Sequence, residues 1–150
     1  MNIRTAGNDD IAELARLRTA WREEPLTSQF LDAFRSWFER EQSSRWWWLA
    51  EAEAGTAVGM VNLKLFDRMP NPGKAPSRWG YLANLYVEPA HRRGGTGGLL
   101  VEAVVATAQA EGLARLVLAP SEQAMQLYAR FGFRTARELL LRPLDGEAGE

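Results

Sequence analysis

Residues 85–100 read LYVEPAHRRGGTGGLL, and no other run limits the possible folds as much. A strand-like stretch ends at Val87, Pro89 follows, then Arg92 and Arg93, then four glycines within five residues, then a helical pattern. Gly94, Gly95, Gly97 and Gly98 let successive backbone N–H groups turn outward together with no side chain in the way. The helix start adds N–H groups that lack intrahelical acceptors, and a partial positive charge. Strand, glycine turn and helix in that order make an anion site suited to phosphate or pyrophosphate. Arg92 and Arg93 add charge-assisted donors.

The context of the turn narrows the nucleotide. A Walker A loop needs Lys and then Ser or Thr after its glycines, whereas Leu99 and Leu100 follow here. A Rossmann turn lies on the first strand of its unit, with an acid about 20 residues on. This turn comes late in the chain, and Glu111 precedes the next strand instead of ending it. Neither nucleotide hydrolysis nor dinucleotide binding is expected. With no cysteine and one histidine, His91, thiolate chemistry and multi-histidine metal sites are excluded, and no metal is expected. His91 reads as a surface residue. The net charge of −1 supplies no field for nucleic acid or anionic membrane. No apolar run approaches the ~18 residues of a membrane helix. The first twenty residues carry Asp9, Asp10 and Glu13, so no targeting segment is expected and a cytoplasmic location is.

The remaining pattern predicts one α/β domain over residues 1–150, in the order β-α-α-β-β-β-α-β-α-β. Residues 1–4 alternate as an edge strand. Asn8 or Asp9 caps a helix carrying Ile11, Leu14, Leu17 and Trp21, which Glu23, Glu24 and Pro25 break. Thr27 or Ser28 opens a second helix with Phe30, Phe34, Trp37 and Phe38 on one face. Residues 45–52 and 56–66 read as strands joined at Gly55, and 67–77 as a loop. Residues 79–87 form the strongest strand, rich in aromatic and branched side chains. A helix over 97–110, a short strand over 114–118, a helix over 122–130 and a last strand over 133–141 complete the order. Residues from about 143 to 150 read as a frayed acidic tail.

Arg92, Gly95 and Gly97 match the Arg/Gln-x-x-Gly-x-Gly/Ala core of motif A in the GNAT superfamily, the acyl-coenzyme A-dependent N-acetyltransferases. Val87 and Pro89 match its upstream Val-x-Pro, and Ala124, Tyr128, Gly132 and Phe133 match a second signature about 30 residues on. Ser121 stands where that signature commonly has Asn. The chain resembles this superfamily along nearly its whole length, which implies a mixed, splayed sheet flanked by helices.

The resemblance implies transfer of acetyl from acetyl-coenzyme A to a primary amine, on a small molecule or a peptide, by direct attack. It places the pyrophosphate on the amides of Arg93, Gly94, Gly95, Thr96, Gly97 and Gly98, with Arg92 and Ser121 beside the cofactor. The pantetheine arm pairs with Leu85, Tyr86 and Val87 as an added strand, and N–H groups near Tyr86 or Val87 stabilise the oxyanion. Tyr128 is the implied general acid. Related polyamine enzymes tend to carry carboxylates where this chain has Ala83 and Asn84. Asn84 holding a water, or Glu23 or Glu24 from the first interhelical loop, would take that part. The resemblance also implies a possible homodimer. A coenzyme A-binding protein without turnover, and an enzyme for another acyl donor, are the alternative readings.

Trp21, Phe30, Phe34, Trp37, Phe38, Trp46, Trp47 and Trp48 are expected to fill the core for the most part, with one or two lining an acceptor pocket. The charges of residues 21–45, five acids and four bases, point to no cationic acceptor.

Overall fold

In a computed structural model of the chain, residues 1–145 are described. Most of the expected acidic tail, residues 146–150, lies outside them.

Five strands form one open sheet in chain order: β1 (Asn2–Ala6), β2 (Arg45–Glu51), β3 (Ala57–Asp67), β4 (Arg78–Val87) and β5 (Leu116–Val117). The first three junctions are antiparallel and β4–β5 is parallel. The helices are α1 (Ile11–Trp21), α2 (Ser28–Glu41), α3 (Thr96–Ala110) and α4 (Met125–Arg130). A parallel pair needs a crossover, and α3 supplies it. The architecture is the expected mixed α/β sheet flanked by helices.

Alternation along the strands sends side chains to two cores. Trp48, Ala50, Val61, Leu63 and Val87 pack with Leu100, Val101 and Val104 of α3 and with Tyr128. Trp47, Leu49, Met60 and Tyr86 pack with Ile11, Leu14 and Leu17 of α1 and with Phe34 and Phe38 of α2. Most of the aromatic set is therefore core, as the pattern predicts. Leu14 and Leu17 are fully buried.

Local chemistry sets the helix ends. Thr27 Oγ1 accepts from the Phe30 N–H at 3.1 Å and caps α2. The start of α1 differs from expectation. A short 3₁₀ turn occupies Asn8–Asp10, and Asp10 stands at the cap position. Its carboxylate is spent elsewhere, accepting from the Gly7 N–H at 2.9 Å and from both terminal nitrogens of Arg4. Arg4 holds the Asp10 carboxyl below its ordinary range.

The expected last strand does not form. Residues 133–141 carry no strand pairing, and Leu139, Leu140 and Leu141 are exposed. Three consecutive leucines put apolar groups on both faces of any strand, so no register buries them all. With only two paired residues, β5 also offers little edge to extend.

Candidate functional site

The site grows out of the β4–β5 junction. The two strands pair at Gly80–Leu116 and Tyr81–Val117 and at no later position, so beyond Tyr81 the β4 edge faces a groove instead of a strand. The junction is tight: a Cβ on Gly80 would lie 2.7 Å from Leu63 Cδ1 and 3.1 Å from Leu116 Cδ2. The groove encloses about 600 Å3, with Leu82 to Leu85 on one wall and Leu118 to Ser121, Ala124 and Tyr128 on the other.

A bulge shapes the β4 wall. Met60 pairs with Tyr86 and Asn62 with Ala83, so two β4 residues, Asn84 and Leu85, oppose Val61 alone. Asn84 takes φ +57°, a left-handed conformation that Asn tolerates better than most residues. Its Oδ1 accepts from Asn62 Nδ2 at 2.8 Å. Asn62 Oδ1 in turn accepts from Arg45 Nη1. Arg45 Nη2 donates to Glu41 Oε1 at 2.7 Å, and Lys64 Nζ donates to Glu41 Oε2 at 3.0 Å. Arg45, and then Lys64, hold the Glu41 carboxyl below its ordinary range. A hydrogen-bonded chain thus fixes the Asn84 amide from behind. Asn62, 0% exposed, is a partner that the sequence reading missed. The available signal was an amide inside an otherwise apolar run, one strand away from another amide.

Below the groove, Pro89–Gly94 form a 3₁₀ turn and Gly95, at φ +80°, is the N-terminal cap residue of α3. No side chain caps this helix end. The first N–H groups of a helix lack intrahelical acceptors, so the amides from Thr96 onward form a donor set suited to an anion. A Cβ at Gly94 or Gly95 would meet nothing within 4 Å, which leaves the approach open. Gly97 and Gly98 serve packing as well: a Cβ there would touch Leu127 at 3.6 Å and Phe131 at 3.7 Å. Residues and amides here fit a pyrophosphate. Arg93 is exposed beside them. Arg92 Nε donates to Val87 O at 2.9 Å, and its guanidinium lies 5.8 Å from the Tyr86 ring centroid.

Tyr128, 7% exposed, faces the groove from α4 and meets Phe133 edge-on at 5.6 Å. Burial pushes its hydroxyl pKa up to about 12. Ser121 is exposed at the groove rim, at the start of the turn into α4. Glu24 is elsewhere. The α1 end is closed by Glu23 N–H to Ala20 O and Glu24 N–H to Thr19 O, a Schellman arrangement with Glu23 at φ +55°. This leaves Glu23 and Glu24 exposed on the turn, outside the lining of the groove. Tyr128, Asn84 and the β4 edge therefore line one groove, the glycine turn follows the end of β4 and meets Leu127 of α4, and the two glutamates line none of it. No helix among the described residues is long and apolar enough to cross a membrane.

Comparison with known proteins agrees with this fold. The profile of the acetyltransferase (GNAT) family matches residues 11–133. A GCN5-related N-acetyltransferase from Ralstonia eutropha is 30% identical, with a TM-score of 0.73 over 97% of this chain and 99% of that one. A predicted acetyltransferase from Clostridium acetobutylicum, crystallised with acetyl-CoA, is 22% identical, with a TM-score of 0.75 over 95% of both chains. Glucosamine-6-phosphate N-acetyltransferase from Arabidopsis thaliana is 15% identical, with a TM-score of 0.73 over 96% of this chain and 98% of that one. No curated protein sequence matches the chain.

Proposed function

The chain belongs to the acetyltransferase (GNAT) family, and we propose that it transfers acetyl from acetyl-coenzyme A to a primary amine by direct attack. The observation that carries this reading is the unpaired β4 edge, which lines a groove with Tyr128 and leads into the turn before the uncapped N-terminus of α3. The amides of Thr96, Gly97 and Gly98 hold the pyrophosphate, with Gly94 and Gly95 keeping the approach clear and Arg93 adding charge. The backbone of Leu85, Tyr86 and Val87 pairs with the pantetheine arm and presents N–H groups to the carbonyl oxygen. The amine nitrogen bonds to the thioester carbon, the C–S bond breaks, and Tyr128 gives its proton to the departing sulfur. A phenol with its pKa raised to about 12 keeps that proton at any ordinary working pH.

The surplus proton on the attacking nitrogen leaves through water, which Asn84 orients from the groove wall. Two features support this part. The Asn84 amide is held by Asn62, and no Asp or Glu lines the groove among the described residues. The site thus offers the attacking amine a water relay where a carboxylate base is lacking. The test is calorimetry with acetyl-coenzyme A, followed by a thiol-release assay over an amine panel. Binding with turnover supports the proposal. Binding without turnover on any amine favours the non-catalytic alternative, and turnover with only a longer acyl donor would revise the acyl group.

A further inference from the structure

We infer that the acceptor is a primary arylalkylamine, an assignment that rests on the transferase reading above. A second cavity, about 310 Å3, opens beside the bulge on the α1/α2 side of the sheet. That volume is near the small end of ligand pockets, ~300–1,000 Å3. Its walls are the rings of Phe30, Phe34 and Trp37 from α2 and Trp47 from β2, with Met60 as floor. The rings are set at angles to one another. Phe34 and Trp37 lie 5.6 Å apart at 60°, Phe34 and Trp47 6.3 Å apart at 60°, and Trp37 and Trp47 5.8 Å apart and edge-on at 89°. Tilted walls of this kind offer both faces and edges to another ring.

Charge weighs against one of the other amine classes and the apolar lining against another. Arg18 is the charged residue of this cavity, and Arg45 and Lys64 line the adjoining groove. Their carboxylate neighbour Glu41 lines neither cavity. A polyamine would bring several positive charges to walls that carry no carboxylate, whereas a monoamine brings one. An amino sugar phosphate would set hydroxyl groups against ring carbon, where they lose their water partners. An aryl group loses nothing there and buries its area.

The cavity is also correctly connected. Trp37 and Asn84 line both it and the groove that holds Tyr128. An aryl group seated among the rings therefore points its aminoalkyl arm past Asn84 toward the β4 edge.

The test is steady-state thiol release with 2-phenylethylamine, tryptamine, spermidine and glucosamine 6-phosphate. The aromatic amines should exceed the other two in kcat/KM by about tenfold or more. Ala33 lines the cavity from an exposed helix position, so Ala33→Phe fills the space without disturbing a core contact. It should raise KM for 2-phenylethylamine by about tenfold, with kcat and acetyl-coenzyme A affinity nearly unchanged. Trp37→Ala should act in the same direction. Preference for spermidine or the sugar phosphate, or an unchanged KM in Ala33→Phe, overturns the aromatic assignment while leaving the transferase reading intact. If no amine turns over, calorimetry of 2-phenylethylamine on the acetyl-coenzyme A-saturated protein separates the two claims. Heat that Ala33→Phe abolishes upholds the aromatic pocket and sinks the transferase. Absence of heat sinks the pocket.

Discussion

Tyr128 combines two properties that a proton donor to a thiolate needs: it faces the groove, and burial keeps its proton in place. Tyr128→Phe keeps the ring and its contact with Phe133 but removes the proton. Turnover should fall roughly 100-fold while acetyl-coenzyme A affinity changes little, and unchanged turnover would remove Tyr128 from the mechanism. The raised pKa also fixes a pH dependence. The folded protein holds the phenolic proton up to about 12, whereas the unfolded chain releases it near 10. The stability from this group is complete below pH 10 and is lost as pH rises through 10 to 12. Urea unfolding between pH 9 and 11 should show a decline that is smaller in Tyr128→Phe, and an identical decline in both proteins would deny the shift. Asn62→Leu tests the amide chain. It takes the amide partner from Asn84 Oδ1 and from Arg45 Nη1, while Arg45 keeps Glu41, so it should cost about 1–3 kcal/mol in urea unfolding and lower kcat through a loosened Asn84. Tyr128 and Asn84 were readable because a motif and a strand pattern placed them. Asn62 and Arg45 were not. Their part depends on a bulge that pairs Asn62 with Ala83, and register of that kind is a tertiary outcome.

Helix ends and turns show the same division. Gly95 was legible as part of the glycine turn that opens a helix, and its φ of +80° is one that glycine adopts freely. The α1 terminus was legible only as a break at Pro25. The residue that enters the left-handed region is Glu23, at φ +55°, where a Cβ is unfavourable. Glu23→Gly should therefore stabilise the protein by about 1 kcal/mol, read as a higher urea midpoint with an unchanged slope. A loss of stability would mean that the glutamate side chain, and not the backbone, sets this turn. The last strand was misread for a related reason. Apolar content over 133–141 suggested a strand, but its pattern has no single face, and content without a face does not specify pairing.

Both cores share one sheet, and the proposed coenzyme site hangs on the strand and helix that join them. Val87, at the end of β4, belongs to the α3 core and Tyr86 to the α1/α2 core. Docking a ligand along β4 and onto α3 therefore braces the α3/β4 unit and, through Tyr86, the α1/α2 core. If such a ligand binds only the folded state, its stabilisation follows mass action. Acetyl-coenzyme A at a hundred times its Kd should add about 2.7 kcal/mol, or roughly 5–10 °C in Tm for a chain of 150 residues. Gly97→Glu separates binding from folding. A side chain there starts from an ordinary 3.6 Å contact with Leu127, and a carboxylate in the first turn suits the helix dipole. The variant should melt within a few degrees of the parent when ligand is absent, yet show no shift with acetyl-coenzyme A, because its carboxylate occupies and repels the pyrophosphate position. A full ligand shift in Gly97→Glu would move the phosphate site away from α3. A collapsed melting temperature without ligand would instead mean that Gly97 is required for α3 to pack against α4.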